Sequence, residues 1–384
     1  MVSYDTLRVR RVLNASGRMT ALGGSVLDPR VAEAMTLASQ ANVSIEELQD
    51  RASEAIARAT GAEEGMVTCG AGAGIALAVA ACVAGNDLAR IRQLPLARGI
   101  EKREVIIQMG HAVNFGAPIT QVIELGGGLP VAIGAANHTH PQELVGAIGA
   151  RTAAFVHVKS HHAVQRGMLS LSKCVEICHQ RGVPVIVDAA AEEDLVAYVD
   201  AGADLVCYSG GKAIGGPTCG IVCGRRDLVK ACRAQSAGIG RTMKTGKEEI
   251  VGLLQALDIY RGADLESRRQ LEHSMVRDLV SGFEGLAGLQ ASIVSDEAGR
   301  GIRRAQIRLD EASSGITAQS LARELEQGDP PIYTRNHQAN LGILAFDPRP
   351  LRVEDVPVIV KRVREAYGKL RGTGEDRRAD NSAQ

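Results

Sequence analysis

The chain has 384 residues, of which 45% are apolar and only 3% aromatic, with no tryptophan and with 44 basic and 44 acidic residues for a formal net charge of zero. That length exceeds what one hydrophobic core usually serves, so two domains are expected, and the charge balance argues against the basic excess of a nucleic-acid binder. No apolar run is long enough to span a membrane and no charged-then-apolar leader opens the chain, so a soluble, cytoplasmic protein with no membrane partner is expected.

In chain order, "TCGAGAGIALAVAAC" (68–82) reads as a strand end, then glycines at 70, 72 and 74, then a helix. "EVIIQM" (104–109), "TQVIEL" (120–125), "AAFVHV" (153–158), "VPVIVD" (183–188), "ADLVCYS" (203–209) and "CGIVCG" (219–224) are short, apolar and rich in β-branched residues. Such runs suit strands covered on both faces of a parallel sheet. Between them "SLSKCVEICHQRG" (170–182) predicts a helix, with Ser170 or Ser172 as N-cap and Gly182 at its stop. The alternation is α/β. From 246 to 285 one or two long helices are predicted. Beyond them "LQASIV", "AQIRLD" and "LGILAF" read as strands, and "TAQSLARELEQ" and "RVEDVPVIVKRVREAYGKL" as helices of a smaller α+β unit. The polar stretch 371–384 predicts a disordered tail. This gives an N-terminal segment 1–45, a large domain 46–250, and a linker helix with a small C-terminal domain over 251–370.

The eight cysteines are scattered. Cys174/Cys178 and Cys219/Cys223 each have C-x₃-C spacing, but no histidine pattern completes a zinc site, so no metal is expected and buried, reduced thiols are.

Three features fall at strand ends. Gly70, Ala71 and Gly72 form either a tight strand-to-helix turn or a loop whose amides meet a phosphate. Asp188 either caps the segment after it or holds a proton on a heterocyclic nitrogen at the carboxyl edge of the sheet. Lys212 sits among Gly210, Gly211, Gly215 and Gly216, where an amine can act as a nucleophile if it is partly desolvated. A phosphate cradle, an acid against a ring nitrogen and a lysine in this order match the needs of pyridoxal 5′-phosphate (PLP).

The segments "LNASGRMTALGGS" (13–25), "EVIIQMGHAVNFG" (104–116), "VIVDAAAEEDL" (185–195), "DLVCYSGGKAIGGPTCGIVCG" (204–224), "GRTMKTGKEE" (240–249) and "PPIYTRNHQANLGILAFDPR" (330–349) span nearly the whole chain. Together they resemble the fold-type I PLP enzymes, and among these the branch of bacterial selenocysteine synthase (L-seryl-tRNA(Sec) selenium transferase) and D-glucosaminate-6-phosphate ammonia-lyase. The resemblance implies an aspartate aminotransferase-like fold, with a large domain built on a mainly parallel seven-stranded sheet and a smaller C-terminal α+β domain. It implies Lys212 as the Schiff-base lysine, Asp188 as the partner of the pyridine nitrogen, and Gly70, Ala71 and Gly72 as the phosphate loop, with Ser209 as an added donor. His111 falls where the branch places a residue over the cofactor ring, or else simply starts a helix. Arg335 corresponds to a small-domain arginine that clamps a substrate carboxylate. Arg241 and Lys244 either reach phosphate or substrate, in this subunit or a neighbour, or form a solvated helix start. Of His161 and His162, one is expected as general acid or base or as substrate contact, the alternative being a metal-like pair without a metal.

The selenium transferase carries an N-terminal tRNA-binding region before the shared motifs, which here begin near residue 13, so no tRNA partner is expected. The implied activity is that of a PLP-dependent lyase on a small amino acid or amino sugar acid, working in a homo-oligomer. Deprotonation at Cα and β-elimination would release ammonia and a keto acid. Racemase, aldolase and selenium-transferase chemistry are the alternatives, and a non-catalytic PLP-binding protein is the alternative of another class.

Overall fold

The computed structural model describes residues 2–160, 162–296 and 299–382, with side chains to residue 372. The chain divides into two compact units, one formed by Met1–Gly23 with Asp264–Gln384 and the other by Gly24–Ala263. Strand β1 (Leu13–Ala15) lies in the first unit. The second holds β2 (Glu64–Thr68), β3 (Glu104–Gln108), β4 (Leu129–Ile133), β5 (Thr152–Val158), β6 (Val185–Asp188), β7 (Leu205–Ser209) and β8 (Gly220–Gly224). β9 (Leu289–Ser295), β10 (Arg303–Leu309), β11 (Ile332–Thr334) and β12 (Ile343–Phe346) return to the first.

In the larger unit the seven strands form one sheet in the order β2-β8-β7-β6-β5-β3-β4. All pairings are parallel except those of β8, which runs antiparallel to β2 and β7. Successive side chains alternate between faces. Val156, Ile186 and Cys207 enter one buried cluster, and Phe155, Val187 and Tyr208 enter the other. The helix Ala71–Ala84 is alanine-, valine- and glycine-rich with nearly every residue buried, as an all-round apolar helix must be.

The structure corrects one predicted strand. "TQVIEL" lies in the helix Ile119–Leu125, whose Ile119, Val122 and Ile123 turn inward at helical spacing while Glu124 and Leu125 are exposed. The strand belongs to "LPVAI" just after it, where Pro130 is tolerated because β4 is an edge strand.

In the smaller unit β12, β10 and β9 form an antiparallel sheet, and β1 pairs in parallel with β11. Phe283 and Phe346, with ring centroids 4.9 Å apart, lie in its core. The β1–β11 pairing explains why residues 1–23 belong with the C-terminal part, where a separate N-terminal segment 1–45 was expected. The predicted helical region 246–285 is two helices, Lys247–Arg261 and Leu265–Phe283, with the division between the units falling in the turn between them. The last helix runs Asp355–Ser382, into the stretch expected as a disordered tail. That stretch lacks proline, so nothing in it blocks a helix outright, although Gly372 and Gly374 oppose one.

Candidate active site

Because β8 alone is reversed, the carboxyl ends of β2, β3, β5, β6 and β7 share one edge of the sheet. Ligands of open α/β sheets bind at that edge. Register fixes what arrives there: Thr68 and Ser209 both pair with Gly220, and Asp188 lies between Val158 and Cys207.

Lys212 is half-buried in a turn that follows β7. The turn is folded on itself, with the Gly210 N–H donating to the Cys219 carbonyl at 2.9 Å and the Gly216 N–H to the Gly210 carbonyl at 2.8 Å. A Cβ on Gly210 would stand 2.4 Å from the Cys219 sulfur, so this glycine is needed for the turn to close. A second segment braces it from outside. Gly24, at φ +74°, comes so close that a Cβ would lie 2.8 Å from the Gly211 carbonyl, and the Ser25 hydroxyl donates to the Lys212 carbonyl at 3.0 Å.

Asp188 closes β6 and is buried. Burial pushes its carboxyl above the ordinary value, opposed by the N–H of Ala190 and by the positive charge of Lys212. Its Oδ1 accepts the Ala190 N–H at 3.1 Å; among the described residues Oδ2 receives no hydrogen bond. Asp188 is therefore no cap of a following helix, since the chain after it runs without regular structure until Ala197.

Gly70 is the N-cap of Ala71–Ala84 and supplies no side chain to the first helical amides. A Cβ on Gly70 would meet no heavy atom within 4 Å, whereas one on Gly220 would strike the Gly70 backbone at 2.4 Å. The loop 70–72 is thus pressed against β8 on one side and open on the other, with amides that find no acceptor among the described residues and the positive end of a buried helix. Ser209 is half-buried at the end of β7, in the same row of the sheet.

His111, in the turn after β3, is fully buried. Its Nδ1 accepts the Val158 N–H at 3.2 Å, its Nε2 has no hydrogen-bond partner among the described residues, and burial, opposed by the backbone of Val164, pushes its pKa down to about 4, so the ring is neutral at pH 7. It meets His157 edge-on at 4.6 Å, and His157 is likewise buried, its Nδ1 without a hydrogen-bond partner among the described residues. Sequence reasoning passed over His157, Lys159 and Ser25. Lys159 follows β5 directly, its N–H donates to the Asp188 carbonyl at 2.9 Å, and its charge helps hold both histidines neutral. "HVK" at the end of an apolar strand was the available signal.

His162 is exposed, its N–H held by the Ser160 hydroxyl at 3.2 Å, and His161 lies outside the described residues. Arg241 and Lys244 are exposed in and after the 3₁₀ turn Ile239–Met243. Arg335 is in the other unit, follows β11 and is buried there; its backbone pairs with Ala345. Among the described residues no group of three or more His, Cys, Asp or Glu side chains is placed to hold a metal ion, and no helix is long and apolar enough to cross a membrane.

The family model of SelA, L-seryl-tRNA selenium transferase, matches residues 12–323. The chain belongs to the SelA family. D-glucosaminate-6-phosphate ammonia lyase of Salmonella typhimurium is 41% identical to this SelA-family chain over 362 residues, covering 94% of it and 97% of the lyase. The 5′-C-glycyluridine monooxygenase-decarboxylase of a Streptomyces species is 43% identical over 366 residues, 95% of this chain and 92% of its own. A solved D-glucosaminate-6-phosphate ammonia-lyase superposes with a TM-score of 0.87 at 40% identity, covering 96% of this chain and all of that one. Aspartate aminotransferase from Thermus thermophilus, at 16% identity and a TM-score of 0.56, shares the fold. The SelA-family chain thus has the aspartate aminotransferase-like fold with the mainly parallel seven-stranded sheet that the resemblance implied.

Proposed function

We propose that this SelA-family chain is a PLP-dependent lyase that converts a 2-amino-3-hydroxy sugar acid into a 3-deoxy-2-keto acid and ammonia. The observation that carries the reading is the Asp188–Lys212 couple: a buried carboxylate with an open Oδ2 and a lysine whose charge acts on it, both at the carboxyl edge of the sheet. The residues fit the cofactor. Asp188 Oδ2 suits a protonated ring nitrogen, the open amides of Gly70, Ala71 and Gly72 with the Ser209 hydroxyl suit the phosphate, and the Lys212 amine suits the aldehyde. When bound, PLP supplies an electron sink for the pair left at Cα once its proton is removed.

The chain's own residues do the rest. Lys212 Nζ takes the Cα proton. The β-hydroxyl leaves as water, with His161 as the candidate proton donor, and water returns when the amine is hydrolysed off as ammonia; His111, neutral at pH 7, is assigned to the cofactor ring as a contact and not as an acid. Arg335 receives the carboxylate, since a guanidinium fork matches it with two parallel bonds. His162, Arg241 and Lys244 are assigned to the substrate and phosphate surroundings. We place the enzyme in the cytoplasm as a homo-oligomer with its active site near the subunit interface and without a tRNA substrate. Val26, Leu37, Val43 and Ile45 support the oligomer, being apolar and exposed within twenty residues.

The test is incubation of the PLP-loaded protein with D-glucosaminate 6-phosphate, with ammonia and keto acid measured together. Equimolar release is expected. The identity to the monooxygenase-decarboxylase supports a second reading. Oxygen uptake and carbon dioxide release from 5′-C-glycyluridine, without ammonia release from the sugar acid, would replace the lyase by that reading.

A further inference from the structure

The smaller unit contains a buried chain of alternating charges. Arg300 grips Asp296 through Nε at 2.8 Å and Nη2 at 2.9 Å. Arg304 bridges Asp296 and Asp347, at 2.7 Å through Nη2 and 2.8 Å through Nε. Arg349 closes the row with a two-pronged grip on Asp347, both contacts at 2.9 Å. All five side chains are at most 7% exposed. Among the described residues the row counts three guanidiniums and two carboxylates, and Arg335 adds a further cation beside it.

Arg335 stands beside this row without joining it. Its N–H and carbonyl bond to Ala345 at 2.8 and 3.0 Å, so the two side chains share a face, and Asp347, two residues further along, is the diagonal neighbour on that face, roughly 7 Å away in such pairings. Among the described residues no carboxylate is within ion-pair distance of the Arg335 guanidinium. Asp347 has no capacity to spare. Its Oδ1 accepts the Arg349 N–H at 3.2 Å and Nε at 2.9 Å, and its Oδ2 accepts Arg304 Nε and Arg349 Nη2. Four donors saturate a carboxylate. Gly17, at φ +103°, closes over the pair, so near that a Cβ would lie 3.2 Å from Asp347 Oδ2 and 3.5 Å from Arg349 Nη2. Burial and the charges of Arg304 and Arg349 push the pKa of Arg335 down to about 10, which still leaves it charged at pH 7. A buried, charged and unpaired guanidinium is unfavourable and would close onto Asp347 if a lone pair opened there.

We infer that Arg349 is a positioning residue for the anion site: by keeping Asp347 fully occupied it leaves the Arg335 guanidinium unpaired and available to the substrate carboxylate. This rests on the proposed carboxylate role of Arg335. The probe is gluconate, which has a sugar-acid carboxylate but no amine, bound to the PLP-loaded enzyme and followed by calorimetry. KM and kcat for D-glucosaminate 6-phosphate are measured alongside. Arg349→Met is expected to weaken gluconate and raise KM by at least about tenfold, with a much smaller change in kcat, because Asp347 then captures Arg335. The double variant Arg349→Met/Asp347→Asn is expected to recover most of the wild-type affinity, since no carboxylate is left to capture it. Wild-type affinity in the single variant overturns the inference, and so does a double variant as weak as the single. If Arg349→Met does not fold, Arg349→Lys takes its place: it keeps the charge but opens one lone pair, so intermediate weakening is expected and unchanged affinity overturns the inference. Arg335→Met separates the two claims. If it leaves gluconate binding unaltered, the carboxylate reading fails and this inference with it; if it abolishes binding while the Arg349 variants bind normally, only the inference fails.

Discussion

The Ser25 hydroxyl donates to the Lys212 carbonyl at 3.0 Å across 187 residues of chain, and beside it Gly24 presses on the carbonyl of Gly211. The turn that presents the lysine is therefore held from two directions, by its own glycines and by a segment that precedes the whole sheet. A nucleophilic amine has to be placed to within a fraction of an ångström, and a glycine-rich turn alone would not do that.

Gly24→Ala tests the brace. Its φ of +74° disfavours any side chain, and the new Cβ would sit 2.8 Å from a backbone oxygen. A loss of about 1–3 kcal/mol in denaturant unfolding is expected, together with weaker PLP retention. Parent-like stability and cofactor affinity would show that the segment is only a passenger.

Lys212→Ala and Asp188→Asn separate the two halves of the couple. The first should lose the visible absorbance band that PLP acquires on joining a lysine amine, and should lose turnover by orders of magnitude. The second should retain PLP but turn over poorly, because a neutral amide cannot stabilise a protonated ring nitrogen. Stability of the cofactor-free protein should move the other way. A carboxyl whose folded pKa is raised destabilises the fold as pH rises through the interval above its ordinary value, so at pH 7 the asparagine variant should melt a few degrees higher. An unchanged kcat in Asp188→Asn would remove the residue from the chemistry.

His111 predicts an acid limb. Its pKa falls from 6.5 to about 4 on folding, so the native state binds fewer protons in that window and stability is lost as pH drops through it. The contribution is on the order of 3 kcal/mol at most, with His157 acting in the same direction. In His111→Phe the curve of unfolding free energy against pH should be shallower between pH 6.5 and 4, and lower at pH 7 because the Val158 N–H has lost its acceptor. Equal slopes for the two proteins would contradict the buried neutral ring.

Arg335→Lys should leave the cofactor spectrum intact and weaken kcat/KM for a carboxylate substrate by about 2–4 kcal/mol, since an ammonium cannot copy the two parallel bonds of a guanidinium. Amines lacking a carboxylate should be poor substrates for the wild type. Kinetics at equal PLP occupancy decide it, with equal kcat/KM removing Arg335 from the site.

Local sequence carried much of this protein. Apolar β-branched runs ended where strands end, so Asp188 after "VPVIV" and His111 after "EVIIQM" could be placed at the edge of a sheet from the one-dimensional pattern. Glycines around a single lysine marked the turn. Composition could not place the boundary between the units, because that depends on β1 pairing with β11 more than 300 residues later. Nor could periodicity separate helix from strand in "TQVIEL", a run too short for either period to show, where burial of Ile119, Val122 and Ile123 decided. The brace of Gly24 and Ser25, the contact of His157 with His111, and the saturation of Asp347 that leaves Arg335 unpaired were all invisible in the chain order. Each depends on which side chains meet across distant segments, and only the packed tertiary structure fixes those distances.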